Sequence, residues 1–177
     1  MTQHVTAGDV TTAISAQHAR ISALFEHLDN CPMEDQASAL HALTALLAGH
    51  EAVEEELVHP LVPRVGDHDQ GLERAREEAG MAEQILRLEQ LEKGTTSFNV
   101  QLGLLEDTVK NHAHREEVDE LPHLARVLTS DQAALIMAAL QAQESSASRR
   151  TGSFAQMMEA ARAEVRDLVA ERGVPHR

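Results

Sequence analysis

Apolar positions recur at alternating steps of three and four along most of the chain, the pattern of helices that each bury one stripe. Val10, Ile14, His18, Ile21, Phe25 and Leu28 mark a first helix, with Gly8-Asp9 as its cap and Asn30-Cys31-Pro32 at its end. Pro32 can open a second helix, running from about Glu34 to His59. After a loop holding Pro60, Pro63, Gly66 and Asp67, a third helix is expected from about Asp69 to Lys93, closed by Gly94. Thr96 or Ser97 caps a fourth, which runs to about Leu121 and kinks at Pro122. Ser130-Asp131 caps a short fifth helix to about Gln143. Residues 144–152 (ESSASRRTG) read as a polar linker. An amphipathic sixth helix follows, through Phe154, Met157, Met158, Ala161, Val165, Leu168 and Val169.

Four long helices joined by short loops imply an all-α fold, an up-down-up-down four-helix bundle. The expected organisation is a bundle over 1–143, including the short fifth helix, then a linker over 144–152 and a C-terminal helix and tail over 153–177. That last helix either folds back on the bundle or gives its apolar face to a homodimer, so the chain is a monomer or a dimer through this helix.

Two of the helical stripes are interrupted in the same way. In the second helix the stripe reads Leu40, Leu43, Leu47, His50, Glu54, Leu57, Leu61. In the fourth it reads Phe98, Leu102, Leu105, Val109, His112, Glu116, Asp119. Both contain HxxxEE, His50 to Glu55 and His112 to Glu117, and both have a proline ten residues after the His, Pro60 and Pro122. A duplicated helical hairpin explains the match. The duplication pairs His18 of the first helix with Ala79 of the third, so a His is expected at 79 and an Ala stands there. One turn on, it pairs Ser22 with Glu83.

Carboxylates at core positions need neutralising, because a buried unpaired charge costs several kcal/mol. No Lys or Arg falls on these stripes. A cation would neutralise them, with His18, His50, Glu54, Glu83, His112 and Glu116 around one bundle axis. A His and a Glu four residues apart present both donors on one helix face. Mixed imidazole and carboxylate donors suit iron or manganese better than zinc. The single Cys31 excludes a thiolate cluster and an internal disulfide.

The formal charge of −14 argues against a nucleic-acid partner and against docking on anionic lipid. No apolar run is long enough to span a membrane, and Met1 to Thr6 has neither a basic start nor an apolar core, so a cytoplasmic location is expected. With no Trp or Tyr, a Tyr ligand, a Tyr radical and a base-stacking platform are excluded.

His18, His50-x-x-x-Glu54, Glu83 and His112-x-x-x-Glu116 together resemble the hemerythrin-like, HHE cation-binding family, over about residues 9 to 128. The resemblance implies a four-helix bundle holding a non-heme di-iron centre, two irons per chain. It implies that Glu54 and Glu116 bridge the irons, that His18 and His50 serve one iron, and that His112 and Glu83 serve the other. It also implies small ligands, and a function among dioxygen binding or sensing, nitric oxide response, iron handling and peroxide decomposition. The family usually places a His at position 79, so Ala79 either leaves one iron with an open position for water, peroxide or another small ligand, or leaves that metal site weak or empty.

Carboxylate donors favour the ferric state, which tilts the expectation towards catalase-like peroxide disproportionation or nitric oxide and oxygen response. The alternatives are reversible dioxygen binding without turnover and a metal-stabilised structural or partner-binding module. A ferritin-like ExxH reading, Glu56/His59 and Glu120/His123, is disfavoured because Glu56 and His59 leave the apolar stripe and Pro122 interrupts the second pair. His59 and His123 are expected to cap helix ends or face solvent.

Overall fold

The structure is a computed structural model that describes residues 4–62 and 69–172, with the backbone alone over 69–78. The expected loop around Pro63, Gly66 and Asp67, and the tail after Arg172, lie outside the described residues. The described residues fold as helices: α1 (Ala7–Asn30), α2 (Gln36–Val53), α3 (Asp69–Gln90), α4 (Thr96–Arg115), α5 (Leu121–Val127), α6 (Ser130–Ala147) and α7 (Phe154–Arg172). The all-α bundle expected from the apolar pattern is present.

Several boundaries differ from the expectation, each for a local reason. Thr6 caps α1: it accepts from the Asp9 backbone N–H, and the Asp9 side chain accepts from the Thr6 backbone N–H. Asp9 is therefore the third helical residue of a capping box and not the cap. A 3₁₀ turn over Met33–Asp35 precedes α2. Gly94 takes φ +75° in the turn before α4, a conformation that favours glycine. The short fifth helix expected from Ser130 to about Gln143 is the longer Ser130–Ala147, which uses part of the expected linker, and a separate short helix, Leu121–Val127, continues the line of α4 past Pro122.

Both HxxxEE stretches depart from α geometry at the same place. A π turn over Glu54–Val58 follows α2, and another over Glu116–Glu120 follows α4. In each, a backbone N–H five residues on, His59 or Leu121, donates to the carbonyl of the Glu. Pro60 and Pro122 come next. A helical proline has no N–H and crowds the carbonyl four residues back, so widening the preceding turn relieves the clash. The proline ten residues after each His thus accounts for the π turn.

The core is layered along the bundle axis. One apolar cluster holds Ile21, Phe25, Leu28, Leu43, Leu47, Ile85, Leu88, Phe98 and Leu105. The other holds Val10, Ile14, Val53, Leu57, Leu121, Leu124, Ile136 and Val165. Between them, α1, α2 and α4 present Gln17, His18, His50, Glu51, Glu54, His112 and Glu116, all buried. A full apolar layer on either side shields this polar layer from water.

α7 folds back on the bundle, and the most extensive contacts of α2 are with α7 and α6. Every residue from Leu43 to Glu54 is consequently buried, on all faces of the helix. The approach is close at Gly49, where a Cβ would meet Arg150 Nη1 at 2.9 Å and Gln143 Cβ at 3.1 Å. The buried Arg150 donates to the carbonyls of Ala45 and Gln143 and to the Glu164 carboxylate. Arg162 grips Glu55 through two bonds of 2.6 and 2.9 Å, and Arg166 pairs with Glu56.

Candidate metal centre

Among the described residues, three helices build the centre. α1 contributes His18, α2 and its π turn contribute His50, Glu51 and Glu54, and α4 and its π turn contribute His112 and Glu116. The donors converge in overlapping groups. His18, His50, Glu54 and Glu116 form one; Glu51, Glu54 and His112 form a second; His59, Glu116 and Glu120 form a third. Within each group the nearest donor atoms lie within 4.8 Å of one another. Glu54 and Glu116 are each shared by two groups, which is what a bridging carboxylate requires.

The imidazoles are oriented from behind. His18 Nδ1 donates to Glu117 Oε1 at 2.9 Å, and His50 Nδ1 donates to Gln17 Oε1 at 3.0 Å. Both partner oxygens only accept, so both Nδ1 atoms carry hydrogens and the Nε2 lone pairs point into the centre. Those two Nε2 atoms are 3.1 Å apart. At that distance either a proton on one Nε2 is shared with the other, as in the ion-free chain, or a cation lies beside both. Two nitrogens bound at right angles to one metal, each at about 2.1 Å, stand about 3 Å apart. Glu116 Oε2 is 3.2 Å from His18 Nε2, and Glu54 Oε1 is 3.4 Å from His50 Nε2. Glu54 Oε2, Glu116 Oε2 and His112 Nε2 are buried without a hydrogen-bond partner. A cavity of about 10 Å³ lies against His18, His50, Glu51 and His112, room for about one water-sized occupant. The residues present fit a cation.

The electrostatics of the ion-free site point the same way. Burial, helped by the neighbouring His18 charge, pushes His50 down to about 3. Burial also opposes charging of His112, but the Glu116 carboxylate 3.2 Å away and the charge of Glu51 outweigh it and push His112 up to about 9. His18 moves up for the same kind of reason: burial works against it, and Glu116 and Glu117 prevail. Burial and the charges of Glu116 and Glu51 hold Glu54 far above the usual carboxylate range. Glu116 goes the other way, because the imidazoles of His112, His18 and His59 gathered around its carboxylate overcome its burial. Protons on imidazoles thus stand in for metal charge at the centre.

Glu83 is not part of this assembly. The buried stripe of α3 is Met81, Ile85 and Leu88, which turns residue 83 outward. Glu83 is 64% exposed and pairs with Arg87 at 2.6 Å. Ala79, one turn earlier on the same face, is exposed too. Both line a cavity of about 510 Å³ between α2, α3 and α7, which Glu51 also borders.

Three donors beyond the sequence expectation join the centre: Glu51, His59 and Glu120. His59 was expected at a helix end or in solvent; its side chain is 12% exposed, with Nε2 3.7 Å from Glu116 Oε1. The π turns explain this. One extra residue per turn rotates the residues after it by about 100°, which swings His59 and Glu120 towards the axis. Glu56 does not join the centre, since it faces Arg166 on α7.

The family model for the hemerythrin HHE cation binding domain matches residues 9–124. The chain belongs to the hemerythrin HHE cation-binding family. Searches of curated proteins and of solved structures returned no match. The family region takes in α1 to α4 and ends within α5, so the α6–α7 cover over α2 lies beyond it. Among the described residues, no helix is long and apolar enough to cross a membrane.

Proposed function

We propose that this hemerythrin-family chain binds a pair of iron ions and reacts with small oxygen or nitrogen ligands, hydrogen peroxide first among them. The observation that carries the reading is the convergence of His18, His50, Glu54 and Glu116, with both Nε2 atoms turned into the centre. His18, His50, Glu54 and Glu116 would hold one ion. Glu54, His112 and the surrounding carboxylates would hold the other, with Glu54 and Glu116 available to bridge.

Bound iron supplies a two-electron couple, matching the two electrons exchanged when two hydrogen peroxide molecules become one dioxygen and two waters. The chain supplies the surroundings. The apolar layers above and below exclude bulk water, which strengthens every charge interaction inside. Gln17 and Glu117 hold the imidazoles in one tautomer and one orientation. Glu117 is 41% exposed and touches His18, so it connects the buried layer to solvent for proton exchange. The preference for peroxide over reversible dioxygen carriage rests on the donor set. Glu51, Glu54, Glu116 and Glu120 make it rich in anionic oxygen, which favours the ferric state.

The test is metal content per chain with the ultraviolet-visible spectrum of the same sample, followed by oxygen evolution from peroxide. About two irons per chain, oxo-bridge-like charge-transfer bands and turnover that is lost in Glu54→Ala are expected. Reversible ferrous-dioxygen spectra without turnover would sink the peroxide reading. Absence of bound iron would leave a structural or partner-binding module.

A further inference from the structure

We infer that Arg162 and Arg166 of α7 are positioning residues for the centre. They clamp the π turn after α2, so that Glu54, and not Glu55 or Glu56, faces the donors of α1 and α4. This role deepens the proposed function and rests on it.

Three consecutive carboxylates, Glu54, Glu55 and Glu56, open the π turn. Neighbouring side chains stand about 100° apart around a helix, so a slip of one residue would turn a different carboxylate inward. Pro60 favours a widened turn before it, but the clash it relieves does not name the residue that must face in. The ion pairs with α7 do. Arg162 Nε donates to Glu55 Oε2 at 2.6 Å, and its Nη2 donates to Glu55 Oε1 at 2.9 Å. Arg166 Nε donates to Glu56 Oε1 at 2.9 Å. A two-point guanidinium–carboxylate contact fixes direction as well as distance. With Glu55 and Glu56 held towards α7, Glu54 is left 1% exposed, with Oε1 3.4 Å from His50 Nε2.

The anchor is itself fixed. α7 buries Phe154, Met157, Met158, Ala161, Val165 and Val169, and Glu164 accepts from Arg150. Beside that apolar face, half-exposed ion pairs add little to docking. The α4 copy of the motif is arranged differently. Its equivalents of Glu55 and Glu56 are Glu117, which accepts from His18, and the exposed Val118. There the residue after the buried Glu orients an imidazole directly; in α2 it ties the turn to α7. Since α7 lies beyond residues 9–124, this control over Glu54 comes from outside the family region. Coupling of this kind is reciprocal: an ion held by Glu54 would tighten the grip of α7 by the same factor.

The experiment is anaerobic titration of the full chain with Mn(II), with bound metal read by equilibrium dialysis and elemental analysis. Hydrogen exchange of the backbone amides of α7 is followed with and without the metal. Wild type is expected to bind Mn(II) and to slow exchange in α7 on binding. The double variant Arg162→Gln, Arg166→Gln is expected to bind about tenfold more weakly, with exchange in α7 indifferent to metal. Charge alone predicts the opposite sign, because removing two positive charges beside a cation site would tighten binding. Equal or tighter binding in the double variant would therefore overturn the inference and leave the metal reading standing. So would a wild-type α7 that ignores Mn(II), or a metal-free double variant whose α7 has lost its protection, since the arginines would then be docking residues. No Mn(II) bound by wild type would overturn both. If the double variant does not fold, Arg162→Lys serves, keeping the charge but losing the two-point contact: weaker binding supports the role, and unchanged binding overturns it.

Discussion

Every residue from His50 to His59 is buried or half-buried, whereas in the matching stretch of α4 His114, Arg115, Glu117, Val118 and Asp119 face solvent. The two stretches share HxxxEE, the π turn and the following proline, yet they contribute differently. The α4 copy supplies His112 and Glu116 from one buried face and Glu120 through the turn. The α2 copy supplies His50 and Glu54 from the same face, then Glu51 from a second face and His59 through the turn. A local motif can specify a His-Glu pair and the turn after it. Recruiting a donor from a second face requires that face to be enclosed, and α3 and α7 border it. The asymmetry of the centre thus draws on α7, an element outside the repeat.

The comparison breaks most visibly at the shared carboxylate. Glu54→Ala removes a donor common to two groups and is expected to lose both ions, whereas His112→Ala is expected to keep the ion at His18 and His50; metal analysis of the two variants separates them. The enclosure of α2 can be tested through Arg150→Ala, which strips donors from two buried carbonyls and from a half-exposed Glu164. A loss of about 2–3 kcal/mol, a fall of roughly 4–12 °C in melting temperature, is expected by calorimetry. The orienting residues come next. Gln17→Leu and Glu117→Gln should each weaken metal binding by about 10–100-fold, with the greater loss at the buried Gln17. The smallest effect belongs to the uncovered face of α4, where Leu104→Ala at an exposed position should stay within about 0.5 kcal/mol by denaturant titration.

The same contrast has a pH signature. His112 is pushed up to about 9 in the ion-free chain, from an ordinary value near 6.5. Its imidazolium therefore adds stability that is fully present below about 6.5 and lost as pH rises towards 9. Glu116 is depressed, so its contribution is present above its ordinary range and lost as pH falls through its lowered value. Metal has to displace the His112 proton, so affinity for the second ion should rise about tenfold per pH unit up to about 9. Melting curves with and without Mn(II) across this range should move in opposite directions. Parallel curves would show that His112 holds its proton when metal is bound.

Much of this was legible in the residues. The three-and-four spacing marked the helices, and the doubled HxxxEE with its proline marked His50, Glu54, His112 and Glu116. His18, alone on an otherwise apolar stripe, followed only from its company with the other donors. Glu51 was not legible, since it lies about 100° around the helix from His50 and its burial depends on how α3, α4 and α7 pack beside α2. His59 and Glu120 were missed because straight α-helical phase turns them away from the axis. The two prolines were the available signal for the turns that bring them back. Glu83 was misplaced because the stripe of α3 runs through Met81, Ile85 and Leu88, and a neighbouring Arg87 already balances its charge.

The cover over α2 also bears on how the chain could be divided. A fragment cut after residue 124 would keep every metal-site donor named above, yet expose Ala45, Leu46, Ala48 and Ala52 along one side of α2. A continuous apolar strip of that kind invites self-association. The cover over α2 and the candidate donors are therefore carried by different stretches of the same polypeptide, and a trimmed version is expected to self-associate before its metal binding could be tested.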